Sequence, residues 1–496
     1  MKDIVNSVLD HISVRGLDYG DVRIVTRSTE SLSTRDSVVE AVESSQSMGL
    51  GIRVLFNGAW GFAATNDFSS ESLKNTCQKA LKIAKATVRL LHKKTVLYPA
   101  RSVKARYETK IAIDPFTVPL SKKIALLLAT DEEMRKVKGI KTCQSFQKSW
   151  REEKIFASTE GALIEQKITE TGAGLECLAI DGNEAQNRSY PNSFRGQFKT
   201  MGYELVNQLD LPGHARKTAE EAVALLKAPE CPAGDFDLIL DGNQLALQIH
   251  ESCGHPTELD RVMGFEAAYA GTSFMTVENL GKLKYGSSIV NLTADSTTPT
   301  GLGTFGYDDE GVPAGKNYLV KNGLHVGYLT SRETLPMLID LLTDEQKAIV
   351  KDNLVLTGCM RADGWENIPL VRMVNVSLEP GRWNFADLIK DTKDGLFLST
   401  NRSWSIDDRR INFQFGTEIA YEIKNGKLTG KIFKNPIYSG ITPQFWNSCD
   451  AICNKNHWEI WGTPNCGKGE PSQLAHTGHG ASPARFRKVK VGFKKN

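Results

Sequence analysis

The sequence predicts an α+β protein with two domains, the second built mostly from antiparallel strands and carrying one important helix. Up to about residue 230, helical and strand patterns alternate along the chain. The character changes at residues 230–235, after which short strands separated by Gly, Asn and Asp turns dominate. We therefore predict an N-terminal α+β domain over 1–230 and a C-terminal domain over 231–496, a division that suits a chain of 496 residues.

Periodicity and turn residues assign the elements of the first domain in order. Ile4, Val8 and Ile12 share one helix face, and the Asn57-Gly58 pair is typical of a hairpin turn between two alternating runs. The predicted elements are a helix over 4–12, a hairpin over 50–62, helices over 71–92 and 122–136, strands over 139–181 with a turn at Gly161, and a short helix from a Thr218–Glu221 capping box to Pro229.

Two further hairpins are predicted in the second domain, each around an Asn-Gly pair. The first joins strands at 318–320 and 325–329, and the second joins strands at 421–423 and 427–428. The basic end of the chain, residues 485–495, is predicted to be a strand with solvated charges. Because hairpins pair antiparallel strands, the second domain is predicted to be mostly antiparallel.

Composition and charge restrict the classes of function. Hydrophobic residues make up 40% of the chain and charged residues 24%, which is typical of a protein with a packed core. Lys and Arg total 61 against 58 Asp and Glu, a net charge of +3, so neither nucleic acid nor a membrane is predicted as a partner. No window approaches the roughly 18 apolar residues of a transmembrane helix.

The cysteines of the chain point to a ligand or a nucleophile rather than to disulfides. Nine cysteines in 496 residues is an odd number and too sparse for a disulfide scaffold. The first residues, MKDIVNSVLDHISVRG, lack an apolar signal core, so we expect a cytoplasmic protein in a reducing environment. Since the chain also holds nine histidines, a small Cys/His site is the feature to look for.

A candidate metal-binding motif, His250–His255 (the pentad, after the five-residue spacing of its histidines), lies at the end of a helix predicted over 243–253. His250 and His255 are five residues apart, whereas the zinc-peptidase motif His-Glu-x-x-His separates its histidines by four. At about 100° per residue, an ideal helix would place the two imidazoles about 140° apart. Gly254 and Pro256 can end the helix and turn His255 back, or a π-bulge can absorb the extra residue.

Two more residues complete the predicted site. Glu251 follows the first histidine, where a general base would deprotonate a metal-bound water. Cys466 lies in a Gly- and Pro-rich loop without apolar periodicity, which argues against a core role, and a thiolate is a good zinc ligand. Two histidines and one cysteine would leave the fourth position of a zinc ion open, as in catalytic sites.

Other ligand sets remain open at this point. The pentad alone is not specific, because two histidines and a glutamate could meet at a frayed helix end by chance. Glu258, three residues after His255, could be a carboxylate ligand, whereas Cys253 inside the pentad would crowd it. Three residues at i, i+4 and i+8 could form a separate structural metal site: Cys449, Cys453 and His457.

Three further segments resemble metal or nucleotide sites, but the residues around each of them argue against such a site. The acidic run Asp308-Asp309-Glu310 is more typical of a solvated turn than of a metal site. The Gly-x-Gly-x-x-Gly match at 301–306 opens no predicted helix, as a dinucleotide site requires. The segment 462–469 resembles a phosphate loop until its last position, where Gly replaces the Ser or Thr that would hold magnesium. These patterns therefore predict no nucleotide site.

The residues around the pentad resemble a known family. The run HESCGHPTELDR at 250–261, continued by AAYAGTSF at 267–274, is similar to the signature of the TldD/PmbA metallopeptidases. The segment EPSQ at 470–473 departs from the Gly-Gln that many members have after the Cys-Gly-Lys, which leaves substrate contacts beyond the metal undefined. Further matching segments are 19–23 (YGDVR), 57–63 (NGAWGFA), 309–313 (DEGVP), 372–375 (RMVN) and 466–469 (CGKG).

The resemblance implies a fold, a metal and an activity. It implies an α+β N-terminal domain, a C-terminal domain of strongly curved antiparallel sheet, and one Zn²⁺ per chain. The zinc ligands of TldD-type members map onto His250, His255 and Cys466, and the glutamate of their pentad maps onto Glu251. Such members cleave peptides or unfolded chains, and some act with a TldE/PmbA subunit that lacks the pentad. We therefore expect the active type of chain, in a homodimer or in a heterodimer with a TldE/PmbA-like chain.

The sequence thus predicts a zinc-dependent peptidase that hydrolyses peptides or unfolded polypeptide segments through a metal-activated water. An extended peptide is expected to pair with an open strand edge of the second domain, which would make recognition weakly sequence-specific. Two rival hypotheses are a non-catalytic or regulatory zinc-binding subunit of a peptidase complex and a metal hydrolase of non-peptide amides. Neither the natural substrate nor the cleavage preference follows from the sequence.

Overall fold

A computed structural model describes residues 1–193 and 196–492, which form an α+β structure with 27% helix and 41% strand. The α-helices are α1 (Lys2–Ile12), α2 (Ser70–Thr87), α3 (Leu120–Arg135), α4 (Glu204–Leu209), α5 (Leu211–Lys227), α6 (Gly242–Ile249), α7 (Leu259–Val262), α8 (Ala267–Ala270), α9 (Thr334–Leu341), α10 (Asp344–Val350), α11 (Phe385–Asp391) and α12 (Thr442–Asn447).

The strands up to residue 240 are β1 (Leu17–Arg35), β2 (Val38–Phe56), β3 (Ala59–Thr65), β4 (Lys104–Glu108), β5 (Ile140–Ser158), β6 (Leu163–Asp181), β7 (Glu184–Tyr190), β8 (Gln197–Lys199) and β9 (Gly234–Leu240). The later strands are β10 (Leu292–Asp295), β11 (Lys316–Lys321), β12 (Leu324–His325), β13 (Met360–Arg361), β14 (Leu370–Val371), β15 (Val376–Leu378), β16 (Asp394–Ile406), β17 (Asn412–Lys424), β18 (Lys427–Phe433), β19 (Ile437–Ile441), β20 (Cys449–Ile452), β21 (Glu459–Lys468), β22 (Gln473–Ala481) and β23 (Ala484–Val491).

The first sheet has the strand order β3-β2-β1-β5-β6-β4, with β7 and β8 attached to β6. Two hydrophobic clusters form at opposite ends of its long strands. At one end α1 and α2 cover residues such as Ile24 and Ile52, and at the other end α3, α4 and α5 cover residues such as Cys143 and Leu175. Between the two clusters, the middle of the long strands carries mostly polar side chains and faces the second part of the chain.

The second part contains a seven-stranded sheet with the order β16-β9-β23-β19-β17-β18, to which β20 is attached through β23. Beside it lie a four-stranded sheet, β12-β11-β10-β15, and the hairpin β21–β22. Within the described residues, the pairs of named strands are antiparallel except β4–β6 and β9–β16. Helix α6 packs against β16 and β22, so it connects the large sheet to the hairpin.

The structure confirms the α+β fold with mostly antiparallel, curved sheets. The helices predicted over 4–12, 71–92 and 122–136 correspond to α1, α2 and α3, and the three predicted Asn-Gly hairpins are present. Helix α2 is shorter than predicted because a 3₁₀ turn, Val88–Leu90, follows it. No helix in the described ranges is both long and apolar enough to cross a membrane. The division of the chain at residue 230 stays a prediction.

Two predictions about local structure outside the candidate site are wrong. The Thr218–Glu221 capping box does not open a helix, because α5 already begins at Leu211 with Asp210 as its N-cap. The hydroxyl of Thr218 instead donates to the carbonyl of His214 inside that helix. The basic end does form β23, but its charges are not all solvated, since Arg485 is buried and donates to the carboxylate of Asp450. Residues 493–495 of this segment lie outside the described residues.

Candidate metal centre

The pentad lies where α6 widens into a π-helical turn, His250–Gly254. The backbone N–H of His255 donates to the carbonyl of His250, so the two histidines are one wide turn apart and their rings meet at 4.8 Å between centroids. This confirms the π-bulge, the second of the two predicted solutions. Gly254 has a right-handed backbone conformation with φ −56°. A side chain does not fit at this position, because a Cβ would lie 2.0 Å from the sulfur of Met373.

Cys466 reaches the same point from the hairpin β21–β22. The structure contradicts the predicted loop, because Cys466 lies in β21 opposite Ala475 and is buried. One ligand atom from each of His250, His255 and Cys466 lies within 4.8 Å of the others. The packing of α6 against β22 therefore brings the three predicted ligands together.

A chain of hydrogen bonds fixes which nitrogen of His250 is available. His479 places Nδ1 3.0 Å from the carbonyl oxygen of Val376, which can only accept, so Nδ1 of His479 carries a proton. Burial lowers the pKa of His479 well below its ordinary value, so the ring is neutral and its Nε2 accepts. Nδ1 of His250, 2.7 Å away, then donates to it. The lone pair of His250 is thereby left on Nε2, which is the form that binds metal.

His255 is oriented in the same way by a carboxylate. Its Nδ1 donates to Oε2 of Glu258 over 2.9 Å, and its Nε2 lies 3.9 Å from the sulfur of Cys466. Glu258 therefore contacts the nitrogen of His255 that faces away from Cys466. Among the described residues, the group of converging donor atoms does not include this carboxylate, which favours Cys466 over the alternative of Glu258 as a direct ligand.

The pKa values of the three donor groups all lie below their ordinary values. Burial lowers the pKa of both His250 and His255 below the ordinary histidine value. Burial raises the pKa of the Cys466 thiol, but His255 and Arg372 outweigh it, so that pKa lies below its usual range. Arg372 also donates to the carbonyl of Cys466 over 2.6 Å. Neutral imidazoles and a thiolate are the forms that metal binding requires.

The donor set fits zinc. Zinc binds imidazole nitrogen at about 2.0–2.1 Å and thiolate sulfur at about 2.3 Å, so the nitrogen and sulfur of a tetrahedral site lie about 3.6 Å apart. The separation of 3.9 Å between Nε2 of His255 and the sulfur of Cys466 is close to that value. Among the described residues, the group contains these three donors and no fourth Asp, Glu, His or Cys. This composition matches the open three-ligand sites of zinc enzymes.

Glu251, the residue after His250, forms an ion pair with an arginine that no local sequence pattern indicates. Its Oε2 accepts from Nη1 of Arg410 over 2.6 Å, and both side chains are largely buried. Arg410 belongs to the β16–β17 turn, where Asp407 accepts from the backbone N–H of Ile411 over 2.8 Å. The ion pair restricts the rotation of Glu251, leaving its second oxygen for other partners.

Behind His255, a buried set of charges supports Glu258. Glu258 lies 3.4 Å from Nζ of Lys468 and 3.7 Å from Nε of Arg261, and these cations also contact Asp260 and Glu266. Burial raises the pKa of Glu258, but Lys468 and His255 outweigh it and hold the pKa well below its ordinary value. An ionised Glu258 keeps the acceptor that fixes the ring of His255.

The other candidate sites do not assemble. Cys449 and Cys453 lie in separate hydrophobic clusters, and His457 accepts from the backbone N–H of Phe385 over 3.2 Å. Cys253 is fully buried, and its burial raises its thiol pKa. All nine cysteines, each in the described part of the chain, are free of disulfides. The glycines at 301–306 pack against other segments, and residues 462–468 belong to β21, so neither segment opens a helix.

The acidic run is buried rather than solvated, which corrects the prediction. Asp309 binds Lys154 over 2.8 Å and Arg23 over 3.3 Å, so it connects the first sheet to the second part of the chain. Asp308 accepts from the backbone N–H groups of Glu310 and Val312. The run is therefore a structural contact, and it is not part of the donor group.

Two supporting residues, His479 and Arg410, were not found from the sequence. His479 carries a weak signal, since it is one of nine histidines and lies 13 residues after Cys466 in the same hairpin. Its relation to His250 depends on the packing of α6 against β22, which sequence spacing does not encode. Arg410 lies 159 residues from Glu251, and no local pattern marks it.

Comparison with known proteins defines the class first: the chain is similar to metalloproteases along most of its length. A metalloprotease of Methanocaldococcus jannaschii is 33% identical over 88% of this chain and 89% of its own length. A zinc metalloprotease TldD homolog of Saccharolobus solfataricus is 21% identical over 96% of this chain and 97% of its own. The solved structure of TldE from Thermococcus kodakarensis shares the fold, with a TM-score of 0.68, 16% identity, and coverage of 99% of this chain and 100% of that one.

Family models then identify the family. The model of the PmbA/TldA metallopeptidase C-terminal domain matches residues 233–492. The models of domain 1 and of the central domain match residues 20–84 and 113–226. The chain belongs to the PmbA/TldD metallopeptidase family, as the sequence resemblance indicated.

Proposed function

We propose that this protein is a zinc-dependent peptidase that hydrolyses peptides or unfolded polypeptide segments. The observation that carries the proposal is the convergence of three ligand atoms, from His250, His255 and Cys466, beside an ion-paired glutamate. The metalloprotease names of the relatives support the same class of activity. The three residues would hold one zinc ion per chain, with His479 and Glu258 orienting the two imidazoles.

When bound, zinc would polarise a carbonyl group and lower the pKa of a water molecule toward about 7. The chain's own residues would move the proton. Glu251, held through one oxygen by Arg410, would accept a proton from the attacking water and deliver it to the nitrogen of the leaving amine. Arg410 would restrict the rotation of the carboxylate and keep it oriented for this transfer.

A catalytic role is favoured over a structural one by the composition of the group. A structural zinc site is usually closed by four protein ligands, whereas three donors are found within the described residues here. A glutamate next to the first ligand would also have no purpose in a closed site. These two features favour a peptidase over a non-catalytic zinc-binding subunit.

The assembly of the protein is part of the proposal. The fold is shared with TldE from Thermococcus kodakarensis. We infer that the chain acts in a homodimer or in a heterodimer with a TldE/PmbA-like chain. Pairing of an extended peptide substrate with a strand edge of the second domain also stays a prediction.

Metal analysis combined with peptide hydrolysis tests the proposal. The purified protein, incubated with a reduced and alkylated polypeptide, should release peptides, and a chelator should abolish the release until zinc is restored. The Glu251→Gln variant should retain zinc while losing turnover. Zinc retention without hydrolysis of any unfolded polypeptide, alone or with a related chain, would contradict the proposal and favour a regulatory subunit. Hydrolysis confined to non-peptide amides would favour the other rival.

A further inference from the structure

A cavity of about 270 Å³ lies between the middle of the first sheet and the hairpin that carries Cys466. Its wall includes Ala475, which is the direct cross-strand neighbour of Cys466. Side chains in such a pair have Cβ atoms about 4.5–5.5 Å apart, so the cavity begins beside the donor group. Its volume is near the lower limit of small-ligand pockets, about 300 Å³, which suits a short stretch of extended chain.

The carboxylates that line this cavity already have cationic or imidazole partners. Arg27 binds both Glu152, over 2.9 Å, and Asp363, over 2.6 Å. Lys154 also contacts Glu152, over 3.0 Å. The third carboxylate, Glu170, lies 2.6 Å from Nδ1 of His476.

Arg361 lines the same cavity without a carboxylate partner in the described part of the chain. Its Nη1 donates to the carbonyl of His476 over 2.7 Å, and its Nη2 donates to the carbonyl of Met373. Its Nε is buried and has no hydrogen-bond partner. The guanidinium lies over the ring of Phe305, 5.4 Å from the ring centre. Burial and the neighbouring Arg372 lower the pKa of Arg361, and Glu170 and Cys466 offset this effect only in part.

We propose that Arg361 binds a carboxylate of the substrate in this cavity, either the C-terminal carboxylate of a peptide or an acidic side chain. The inference rests on the proposed peptidase function and names a substrate class for it. A guanidinium presents five donors in a plane and pairs well with a carboxylate, and two of the five are occupied here by backbone carbonyls. A carboxylate from the substrate would supply the direct ion-pair partner that Arg361 lacks among the described residues.

Binding measurements on the zinc-loaded Glu251→Gln variant test this inference without turnover. Three otherwise identical peptides are compared: one with a free C-terminal carboxylate, one with a C-terminal amide, and one amide with a central Gln replaced by Glu. A charge-assisted contact predicts about 10- to 100-fold tighter binding of a peptide that carries the right carboxylate. Preference for the free C-terminus identifies the chain end as the ligand, and preference for the Glu peptide identifies the side chain.

Two substitutions at Arg361 show whether this residue causes the preference. On the same background, Arg361→Gln should reduce the ratio of affinities to about one, and Arg361→Lys should restore part of it. Arg106→Gln, a change at a side chain that is 77% exposed, is the matched control and should keep the full ratio. If Arg361→Gln does not fold, the peptide series in the parent and in Arg361→Lys decides.

The outcomes separate this inference from the proposed function. Equal affinity for all three peptides, or no binding of any of them, overturns the role of Arg361. Equal affinity together with chelator-sensitive hydrolysis by the wild-type protein leaves the peptidase proposal standing. A preference that depends on Arg361, without hydrolysis of any peptide, supports the binding site and contradicts the peptidase proposal.

Discussion

Two buried groups of metal-type side chains differ in how their polar atoms are satisfied. In the donor group, Nε2 of His255 and the sulfur of Cys466 face each other, and each outward nitrogen of the two histidines already has a partner. In the acidic run, the oxygens of Asp309 are taken by Lys154, Arg23 and a backbone N–H group. Both groups are rich in ligand atoms, but only the first leaves lone pairs that converge on a common point.

The comparison teaches that convergence of unsatisfied lone pairs, rather than the number of acidic or basic residues, distinguishes a metal site from a structural contact. A buried carboxylate is stable only when cations or N–H groups compensate it, and the acidic run is compensated by the protein itself. The three donor atoms lie within 4.8 Å of one another, and a metal ion bound between them would supply the positive charge. We therefore expect substitutions in the donor group to change activity and metal affinity, and substitutions in the acidic run to change stability.

The largest expected effect is on catalysis at Glu251. Replacing Glu251 with Gln removes the proton acceptor while keeping size and hydrogen-bonding capacity, and loss of a general base typically costs about 10²–10⁴-fold in rate. We expect kcat for peptide hydrolysis to fall by this factor, with zinc content unchanged. The measurement is steady-state kinetics alongside metal analysis. Undiminished kcat would remove Glu251 from the proton transfer.

The second prediction concerns the acidic run, where we expect a loss of stability without a loss of zinc affinity. Asp309→Asn leaves the buried cations Arg23 and Lys154 without their shared counter-charge, and breaking a buried ion pair costs about 3 kcal/mol. We expect the free energy of unfolding, measured with urea, to fall by about this amount, while zinc affinity stays at the wild-type value. A variant with normal stability and weakened zinc binding would place Asp309 in the metal centre after all.

The third prediction concerns the residue that orients His250. His479→Ala removes the acceptor for Nδ1 of His250, and loss of such a supporting contact typically weakens metal affinity about 10- to 100-fold. Competition with a chromogenic chelator measures the affinity. His457→Ala, a change at a histidine outside the donor group, is the control and should bind zinc normally. Equal affinity in both variants would show that His479 only fills space.

The smallest effect is a pH dependence of stability at Asp309. Burial raises its pKa, but Lys154 and Arg23 outweigh it, so the pKa lies below the ordinary value of about 3.9. A carboxyl with a lowered pKa in the folded state stabilises the protein above the unfolded-state pKa, and this contribution is lost as the pH falls through the lower value. The stability difference between wild type and Asp309→Asn should thus be constant from pH 7 to about 5. A difference that already declines within this range would contradict the assignment.

Local patterns predicted what depends on neighbouring residues. The periodicity of residues 4–12 and 71–92 and the Asn57-Gly58 turn predicted elements that the structure confirms. The five-residue spacing of His250 and His255 predicted a distortion of the helix, and a π-helical turn is present. These features were accessible because helix faces and tight turns are decided within a few residues.

Features that depend on distant partners were not accessible. The Asp308-Asp309-Glu310 run was wrongly predicted to be solvated. Its partner Arg23 lies 286 residues before Asp309, and nothing local indicates that the two side chains meet. Cys466 was assigned to a loop because its Gly and Pro neighbours hide the pairing of β21 with β22. The prediction from the capping box at Thr218 was wrong for a different reason. Asp210 is an earlier N-cap, and Pro follows it at the start of the helix.

Zinc content is the most direct test of the central claim that His250, His255 and Cys466 form a metal centre. The account predicts one zinc ion per wild-type chain and clearly substoichiometric zinc in Cys466→Ser, while Cys231→Ser, a change at a cysteine outside the donor group, retains one ion. Elemental analysis of the three purified proteins, after dialysis against the same buffer, gives the answer. Full zinc occupancy in Cys466→Ser, or no metal in the wild type under zinc-replete conditions, would contradict the account.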